Sequence, residues 1–351
     1  MIKVKNNSKE YGSDNMQNQH IGKQTVEFLK PPVILETSAI VGAKEGEGPL
    51  ANYFDDVLSD DKWGEETWEK AESKLQRETA LKALKKANMS PDEIDYVLAG
   101  DLLNQCVGAH YGMRDFKIPF LGLYGACSTM AESMTIGAMI AAGGYANNVM
   151  CVTSSHFCAS EKQFRFPLEY GGQRTPSAQW TVTGSGCAIL SPEGRGPMIT
   201  HITTGKIIDM GITDLSNMGA AMAPAAVDTI ATHFNDTGLK PNDYDLILTG
   251  DLGVVGTDIL IDLICDEGYD ISGTHNDCGK MIFDVEKQDV HAGGSGCGCC
   301  ASVFCGYIYD EIKKGNLKNV LLVATGALMN TQAINSGETI PSIAHAVAIR
   351  G

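Results

Sequence analysis

Cys127 is the residue whose position in this sequence most directly suggests chemistry. It follows a strand-like apolar stretch that ends in Gly125 and Ala126, and it precedes the small-residue segment 128–142, which has the composition of a helix. A cysteine at the start of a helix lies beside unpaired backbone N–H groups and the positive end of the helix dipole, and both lower the pKa of a thiol. The same N–H groups bind carboxylates. The sequence therefore predicts a nucleophile or an anion receptor at Cys127 and Ser128, with inert packing as the alternative.

Residues 161–174 concentrate cationic and aromatic side chains in an otherwise acidic sequence. The cations are Lys162, Arg165 and Arg174, and the aromatic residues are Phe164 and Phe166. An arginine binds a carboxylate through two parallel hydrogen bonds, and its plane stacks on a ring. The segment therefore predicts a site for an anionic aromatic ligand, and the alternative interpretation is a contact loop between subunits.

Two histidines are expected near the same end of the sheets as Cys127. His156 ends the strand that follows the cysteine-bearing helix, and His291 precedes a glycine-rich turn that contains Gly294. A histidine moves protons or binds anions near neutral pH, although structural packing is the alternative for each. The predicted ligand-binding set is Cys127, Ser128, His156, Lys162, Arg165, Arg174, His291 and Gly294, with Cys127 as the candidate nucleophile.

The eleven cysteines do not form the pattern of a disulfide framework or of a metal site. Their number is odd and they lie in apolar or glycine-rich surroundings, which is typical of reduced thiols in a cytoplasmic compartment. The run from Cys297 to Cys300, followed by Cys305, lacks the paired C-x-x-C spacing of zinc sites. We expect small packing residues here, with no metal and no cofactor.

The overall charge restricts the possible partners. The 351 residues include 43 Asp and Glu against 27 Lys and Arg, a formal charge of -16, which argues against nucleic acid as a partner. An anionic ligand would require local cations. No apolar run approaches the roughly 18 to 20 residues that span a bilayer, and the N-terminus shows no basic segment followed by an apolar one. We therefore expect a protein of cytoplasmic type without an export signal or a membrane span.

An internal repeat indicates how these residues are positioned. Residues 91–102 and 241–252 match at six of twelve positions, and both segments end in Gly-Asp-Leu. A second pair, residues 144–154 and 315–325, shares a helix-ending glycine, a short turn and an apolar strand. Two matches in the same order imply a duplicated α/β unit.

Each copy alternates apolar strands with helices, which is typical of a largely parallel sheet covered on both faces. The expected strands are 33–40, 94–99, 119–124, 149–153, 180–190, 198–208, 246–249 and 320–324, and the expected helices are 66–88, 128–142, one within 220–235, and 299–314. The pattern predicts a polar, flexible N-terminal arm over residues 1–30, a first half over 31–192 and a second half over 193–351.

Three glycine-rich motifs resemble those of thiolases and type III ketoacyl synthases, and they occur in the same order. They are the Gly-Ala-Cys-Ser turn at 125–128, the strand Thr-Gly-Ser-Gly-Cys-Ala-Ile-Leu at 183–190 and the glycine- and cysteine-rich turn at 293–301. The resemblance implies a thiolase-like α/β protein in which a βαβαβαββ unit is duplicated into a five-layered αβαβα fold. It also implies a homodimer.

The sequence more closely resembles the stage V sporulation protein AD family of spore-forming Firmicutes. The motifs that carry this resemblance are residues 44–50, 99–104, 161–167, 222–226, 275–279 and 344–346, within a span of about 22–350. The resemblance implies a sporulation protein that binds dipicolinic acid, pyridine-2,6-dicarboxylate, free or as its calcium chelate, for uptake into the developing spore. It further implies other stage V sporulation A membrane proteins as partners and a peripheral position at the spore inner membrane.

The partners that a catalytic cysteine needs are not found where the resemblance places them. A condensing enzyme uses a His and an Asn, or two His residues, to stabilise an enolate oxygen and to move protons. The His would fall near Gly250 and the Asn at Cys297, and neither residue type stands there. We therefore expect a ligand-binding protein rather than an enzyme. The alternatives are an acyltransferase or condensing enzyme that uses Cys127, and a structural component of a membrane assembly with a filled pocket.

Overall fold

The computed structural model describes residues 18–164 and 174–351. The strands are β1 (His20–Ile21), β2 (Thr25–Glu27), β3 (Val33–Val41), β4 (Asp56–Val57), β5 (Tyr96–Gly100), β6 (Phe120–Gly122), β7 (Val149–Ser155), β8 (Trp180–Thr181), β9 (Gly184–Ser191), β10 (Met198–Thr203), β11 (Leu246–Thr249), β12 (His275–Asp277), β13 (Gly294–Ser295), β14 (Asn319–Ala327) and β15 (Ser342–Arg350). The α-helices are α1 (Trp68–Ala87), α2 (Val107–Met113), α3 (Thr129–Ala142), α4 (Phe157–Phe164), α5 (Met218–Thr237), α6 (Gly253–Asp266), α7 (Cys278–Met281), α8 (Cys297–Ser302), α9 (Tyr309–Lys313) and α10 (Thr331–Asn335). A π-helical segment, Val303–Ile308, joins α8 to α9.

The same strand arrangement occurs twice in the sheet. The first half orders its strands β3-β9-β7-β5-β6, and the second half orders its strands β10-β15-β14-β11-β12. β5 pairs in parallel with β6 and β7, as β11 does with β12 and β14, whereas β9 and β15 run antiparallel to their neighbours. The two half-sheets meet where Met198 of β10 pairs with Val33 of β3. Each half therefore contains the βαβαβαββ unit that the resemblance to thiolases implies.

The helices form three layers around the two half-sheets. α1 and α2 cover the outer face of the first half-sheet, and α5 and α6 lie on the outer side of the second. α3 contacts strands of both half-sheets, and α8 packs beside it in the middle layer. Small residues allow this close packing, since a Cβ added at Gly137 of α3 would lie 2.8 Å from Cys151 Sγ. The five-layered αβαβα fold is thereby confirmed.

The described part of the predicted N-terminal arm belongs to the fold. β2 pairs with β10 in the second half, and the Asp236 carboxylate on α5 accepts hydrogen bonds from the backbone N–H of Lys23 and Gln24 and from the Thr25 hydroxyl. The arm assigned to residues 1–30 was therefore wrong for residues 20–27, because their polar side chains have specific partners. Residues 1–17 lie outside the described residues.

A chain of buried hydrogen bonds runs inward from this contact. Thr25 Oγ1 lies 2.9 Å from Thr203 Oγ1, which lies 2.8 Å from His233 Nδ1. His233 Nε2 in turn lies 2.6 Å from the Tyr244 hydroxyl. The chain links β2 at one end to the start of β11 at the other, and it passes through α5.

Candidate ligand site around Cys127

Cys127 lies in a tight turn, Ala126–Ser128, that leads directly into α3. Ala126 has a φ of 50°, a left-handed conformation that is uncommon for a residue other than glycine. Side-chain hydrogen bonds hold the turn, since the hydroxyl of Ser128 donates to Gly125 O at 2.7 Å and that of Thr129 donates to Ala126 O at 2.7 Å. Ser128, which was predicted to bind a ligand, is fully buried. Its hydroxyl stabilises the turn instead.

β14 from the second half approaches the Cys127 turn at backbone distance. A Cβ added at Gly326 would lie 2.3 Å from Gly125 O and 3.3 Å from Cys127 N. No side chain fits at this position without displacing backbone. The site is therefore built from both halves of the duplicated fold.

The thiol of Cys127 faces a buried carboxylate. Its hydrogen bond goes to Asp251, and burial together with the Asp251 charge raises the pKa of Cys127 well above its usual range. The expectation that the helix start lowers this pKa was wrong, because desolvation and the neighbouring carboxylate oppose the thiolate more strongly. Cys127 is therefore a neutral thiol at physiological pH.

Asp251 connects two segments, the glycine-rich turn at Ser295 and Gly296 and the strand β14, to Cys127. Its Oδ2 accepts from Gly296 N at 2.9 Å and from the Ser295 hydroxyl at 3.2 Å, and its Oδ1 accepts from the Thr325 hydroxyl at 2.8 Å. Burial raises the pKa of Asp251 to about 6. Asp251 is the aspartate of the second Gly-Asp-Leu segment, so the repeat carried a signal for this residue that the sequence analysis did not use.

A cavity opens beside Cys127 with an empty volume of about 600 Å³, which includes its open mouth. Apolar and aromatic side chains form most of its wall. The lining residues are Leu102, Tyr124, Ala126, Cys127, Glu161, Phe164, Thr181, Leu215, Met218, Met222, Ser295, Ala327 and Met329. Within the described ranges this wall contains no histidine, and its one acidic residue is Glu161. The carboxylate of Glu161 accepts a hydrogen bond from Thr181 Oγ1 at 2.9 Å.

A polar groove adjoins the cavity, and the two share Tyr124, Phe164 and Met329. The groove has an empty volume of about 930 Å³, again including open solvent. Its other lining residues are Asn104, Gln105, Cys106, Gln163, Leu328, Asn330 and Thr331. Side-chain amides therefore lie next to the apolar cavity.

The two predicted cations that the structure describes, Lys162 and Arg174, do not line the cavity. Lys162 pairs instead with Glu69 on α1, with 2.7 Å between Nζ and Oε1, and Arg165 lies outside the described residues. Arg174 donates to Asp289 O at 2.7 Å, and its guanidinium carbon lies 4.8 Å from the centre of the Trp180 ring. Lys162 and Arg174 therefore take part in ion pairs, hydrogen bonds and a ring contact outside the cavity.

The two predicted histidines also lie elsewhere. His156 is fully buried, and its Nε2 lies 2.6 Å from Asp61 O. Burial lowers its pKa. His291 Nε2 lies 3.1 Å from Asp289 Oδ1, next to the Arg174 contact. Gly294 is part of the short strand β13 and pairs with Trp180, while its neighbour Ser295 lines the cavity.

Of the seven predicted residues that the structure describes, only Cys127 lies at the cavity wall. The sequence analysis missed Tyr124, Glu161 and Met222, among others. Two of these stood in stretches that it had singled out, since Glu161 begins the basic-aromatic segment and Met222 begins one of the motifs of the family resemblance. Among the described residues, no group of three or more His, Cys, Asp or Glu side chains is arranged to hold a metal ion.

Solved structures with the same architecture include a 3-oxoacyl-[acyl-carrier-protein] synthase and a 3-ketoacyl-CoA thiolase. The chain is similar to 3-oxoacyl-[acyl-carrier-protein] synthase III from Aquifex aeolicus VF5, with a TM-score of 0.55, 14% identity, and coverage of 91% of this chain and 100% of the other. It is also similar to an OleA variant from Xanthomonas campestris, with a TM-score of 0.60, 12% identity, and coverage of 93% and 100%. Human mitochondrial 3-ketoacyl-CoA thiolase gives a TM-score of 0.57, 13% identity, and coverage of 93% and 99%. The fold is therefore that of the thiolase and type III ketoacyl synthase class.

Sequence relatives define the family within this class. The profile of Stage V sporulation protein AD matches residues 22–350. Stage V sporulation protein AD of Bacillus subtilis (strain 168) is 46% identical over 326 residues, which cover 93% of this chain and 96% of the relative. The chain belongs to the Stage V sporulation protein AD family and is a sporulation protein.

A helix that spans a membrane must be both long and apolar. In the parts of the chain that the structure describes, no helix is both long enough and apolar enough to span a membrane.

Proposed function

We propose that this sporulation protein binds dipicolinic acid in the cavity beside Cys127, free or as its calcium chelate. In this proposal it serves the uptake of dipicolinic acid into the developing spore, as a peripheral component of a complex with other stage V sporulation A membrane proteins. The family supports the biological setting. The cavity supports the ligand class, because it has an apolar wall beside polar groups.

The observation that carries the proposal is the composition of the cavity wall. Tyr124 and Phe164 supply aromatic surface, and Leu102, Met218 and Met222 supply apolar surface. A wall of this kind favours a flat ring, and a few placed polar groups beside it orient the ligand. The adjoining groove supplies such groups.

Glu161 bears on which form of the ligand binds. Its buried carboxylate lines the cavity and accepts a hydrogen bond from Thr181 Oγ1. Calcium takes six to eight oxygen ligands, so a calcium chelate of dipicolinate retains coordination positions for protein oxygens. We therefore propose the chelate alongside free dipicolinate.

A role in binding rather than in catalysis is supported by the state of Cys127. Burial and the neighbouring carboxylate of Asp251 raise the pKa of Cys127 and keep the thiol protonated, whereas the nucleophile in acyl transfer is the thiolate. No histidine from the described residues lines the cavity to remove the proton. An enzyme that attacks acyl groups through Cys127 would have to overcome both conditions.

Titration calorimetry of the full chain with dipicolinate, with and without calcium chloride, tests the proposal. Ala327→Leu should weaken binding because the larger side chain fills the cavity, whereas Ala51→Leu, outside the cavity, is the matched control. Bound dipicolinate should also protect Cys127 from N-ethylmaleimide. Absence of binding both with and without calcium would contradict the proposal.

The second candidate is a cysteine-dependent acyltransferase or a condensing enzyme like type III ketoacyl synthases. It is favoured by one observation, the position of Cys127 in a strained turn at the start of α3. Incubation with short acyl-CoA species followed by intact-mass measurement decides between the two. An acyl adduct that disappears in Cys127→Ser would support the enzyme and count against a purely binding role.

We also propose that the protein forms a homodimer through β6. This strand is the edge of the first half-sheet, and Leu121 and Tyr124, on and next to it, expose 43% and 42% of their surface. An exposed apolar edge strand readily pairs with another chain. Leu121→Lys should shift the mass measured by light scattering towards that of a monomer, and a monomeric wild-type protein would contradict this assignment.

A further inference from the structure

Two side-chain amides in the groove have a defined orientation. Gln163 Oε1 accepts a hydrogen bond from Asn104 N at 3.1 Å. Asn330 Oδ1 accepts from Gln332 N at 2.9 Å and from Ala333 N at 3.1 Å. The oxygen and the NH₂ group of a side-chain amide are bonded to the same carbon and lie in one plane with it, so fixing the oxygen also fixes the NH₂ group.

The NH₂ groups of these two residues are donors without a protein acceptor in the described part of the chain. Both residues line the groove, and every groove residue of the described ranges is uncharged. Hydrogen bonds from neutral donors to an ionised acceptor are stronger than those between neutral groups. The groove therefore has the donors that a carboxylate needs and no carboxylate of its own to repel it.

The backbone beside these amides is strained. Gln105 and Cys106 are consecutive residues with φ of 55° and 52°, and neither is glycine. Each such residue costs on the order of 1 to 3 kcal/mol and persists where the surroundings enforce it, often at ligand-binding sites. The Asp101 carboxylate holds this segment, since it accepts from Leu103 N at 2.8 Å and from Ala109 N at 2.7 Å. The wall of the groove is thus built in a fixed shape.

We propose that the NH₂ groups of Gln163 and Asn330 together bind one carboxylate of an aromatic carboxylic acid whose ring lies in the adjoining cavity. Tyr124 and Phe164 line both spaces, so a ring between them is continuous with the groove. This inference rests on the proposed binding of dipicolinate, and it assigns one of the two carboxylates to neutral amide donors. Gln163 and Asn330 are then specificity-determining residues.

Gln163→Glu and Asn330→Asp test the assignment in the full chain. Each variant keeps the oxygen that accepts the backbone N–H groups and replaces the donor NH₂ with an anionic oxygen, so the melting temperature should stay close to that of the wild type. We expect the Kd for dipicolinate to rise by about 10- to 100-fold in each variant. Asn18→Asp is the matched control, because it adds the same charge while keeping the Oδ1 that accepts from His20 N, outside the groove.

The outcomes separate this inference from the proposed function. Weakened binding in both groove variants, with the control unchanged, supports the assignment. Wild-type affinity in either groove variant overturns the assignment and leaves dipicolinate binding intact. Equal weakening in Asn18→Asp would also overturn it, because net charge would then be the cause. A wild-type protein that does not bind dipicolinate at all contradicts both proposals.

Discussion

The two copies of the Pro-to-Leu repeat, residues 91–102 and 241–252, share a scaffold but differ at its end. Each begins with a short 3-10 turn, and each then places an aspartate that accepts backbone N–H groups where the neighbouring strand starts. Asp95 accepts from Asn147 N at 2.6 Å, and Asp245 accepts from Lys318 N at 2.7 Å. Up to this point the two copies have the same structural role, because each aspartate binds the backbone that leads into the neighbouring strand.

The last aspartate of each copy has a different task. Asp101 binds backbone N–H groups of its own loop and of α2, whereas Asp251 binds the glycine-rich turn, β14 and the Cys127 thiol. The helix start that follows Asp251 is held by Asp277 instead, which accepts from Leu252 N at 2.8 Å and from Gly253 N at 2.9 Å. In the second copy, Asp251 can bind the residues of the site because Asp277 has the structural role that Asp101 has in the first copy.

Removal of the two carboxylates should give unequal losses. Asp251→Ala leaves four buried donors, including the Cys127 thiol, without their acceptor, and we expect the free energy of unfolding to fall by about 3 to 5 kcal/mol. Asp101→Ala leaves two N–H groups without their acceptor and relieves the repulsion of buried Glu72, so a loss of about 2 to 3 kcal/mol is expected. Urea denaturation measures both values, and equal losses would show that the two copies have not diverged.

The charge of Asp251 should control the reactivity of Cys127. Asp251→Asn removes a negative charge next to the thiol, which lowers the pKa of Cys127, and a fall of one pKa unit raises the thiolate fraction about tenfold. We expect a comparable rise in the rate of Cys127 alkylation by iodoacetamide at pH 8. Asp101→Asn is the matched change in the other copy. If it accelerated alkylation as much, the link between Asp251 and the thiol would be refuted.

The raised pKa of Asp277 should make the free energy of unfolding depend on pH. Burial raises its pKa from 3.8 to about 7, so the folded state holds this proton more tightly than the unfolded state. Its contribution is therefore fully present below about pH 4 and is lost as the pH rises to about 7. Relative to wild type, Asp277→Asn should gain up to about 1.4 kcal/mol per pH unit across this window. Thermal or urea unfolding at several pH values measures this slope, and a flat difference would contradict the raised pKa.

The shared part of the repeat should give matched losses. Asp95→Ala and Asp245→Ala each remove an acceptor for backbone N–H groups at the exposed end of a strand, and we expect each to cost about 1 kcal/mol. Urea denaturation of both variants tests the equivalence. A loss in one copy that is more than twice the loss in the other would mean that the scaffold, too, has diverged.

The fold was predictable from the sequence because the repeat and the apolar strands are local signals. The helix expected at 66–88 is Trp68–Ala87, and the strand expected at 33–40 is Val33–Val41. Helix α6 and strand β12 were not predicted. Asp258, Asp262 and Asp266 recur at helical spacing within Gly253–Asp266 and are the signal that indicates α6, whereas β12 has only three residues. Strand 180–190 is divided into β8 and β9.

The site was less predictable because it depends on contacts between distant segments. Position at a helix start predicted the location of Cys127, but the state of its thiol depends on Asp251, 124 positions later. His156 was expected at the site from its place at a strand end, and His291 from its place before the glycine-rich turn. Their partners Asp61 and Asp289 hold them outside it. The protonation state of Cys127 and the positions of the two histidines therefore depend on burial and on their partners, which residue spacing does not show.

The hydrogen-bond chain from β2 to Tyr244 has only one consistent arrangement of protons. Asp236 is an acceptor, so the single proton of Thr25 Oγ1 points to it, and Thr203 must then donate to Thr25. Thr203 has no second proton, so His233 Nδ1 carries one and donates to it. His233 is neutral, since burial lowers its pKa to about 3, and its Nε2 therefore accepts from the Tyr244 hydroxyl. A carboxylate close to the surface thus selects the tautomer of a histidine in the core.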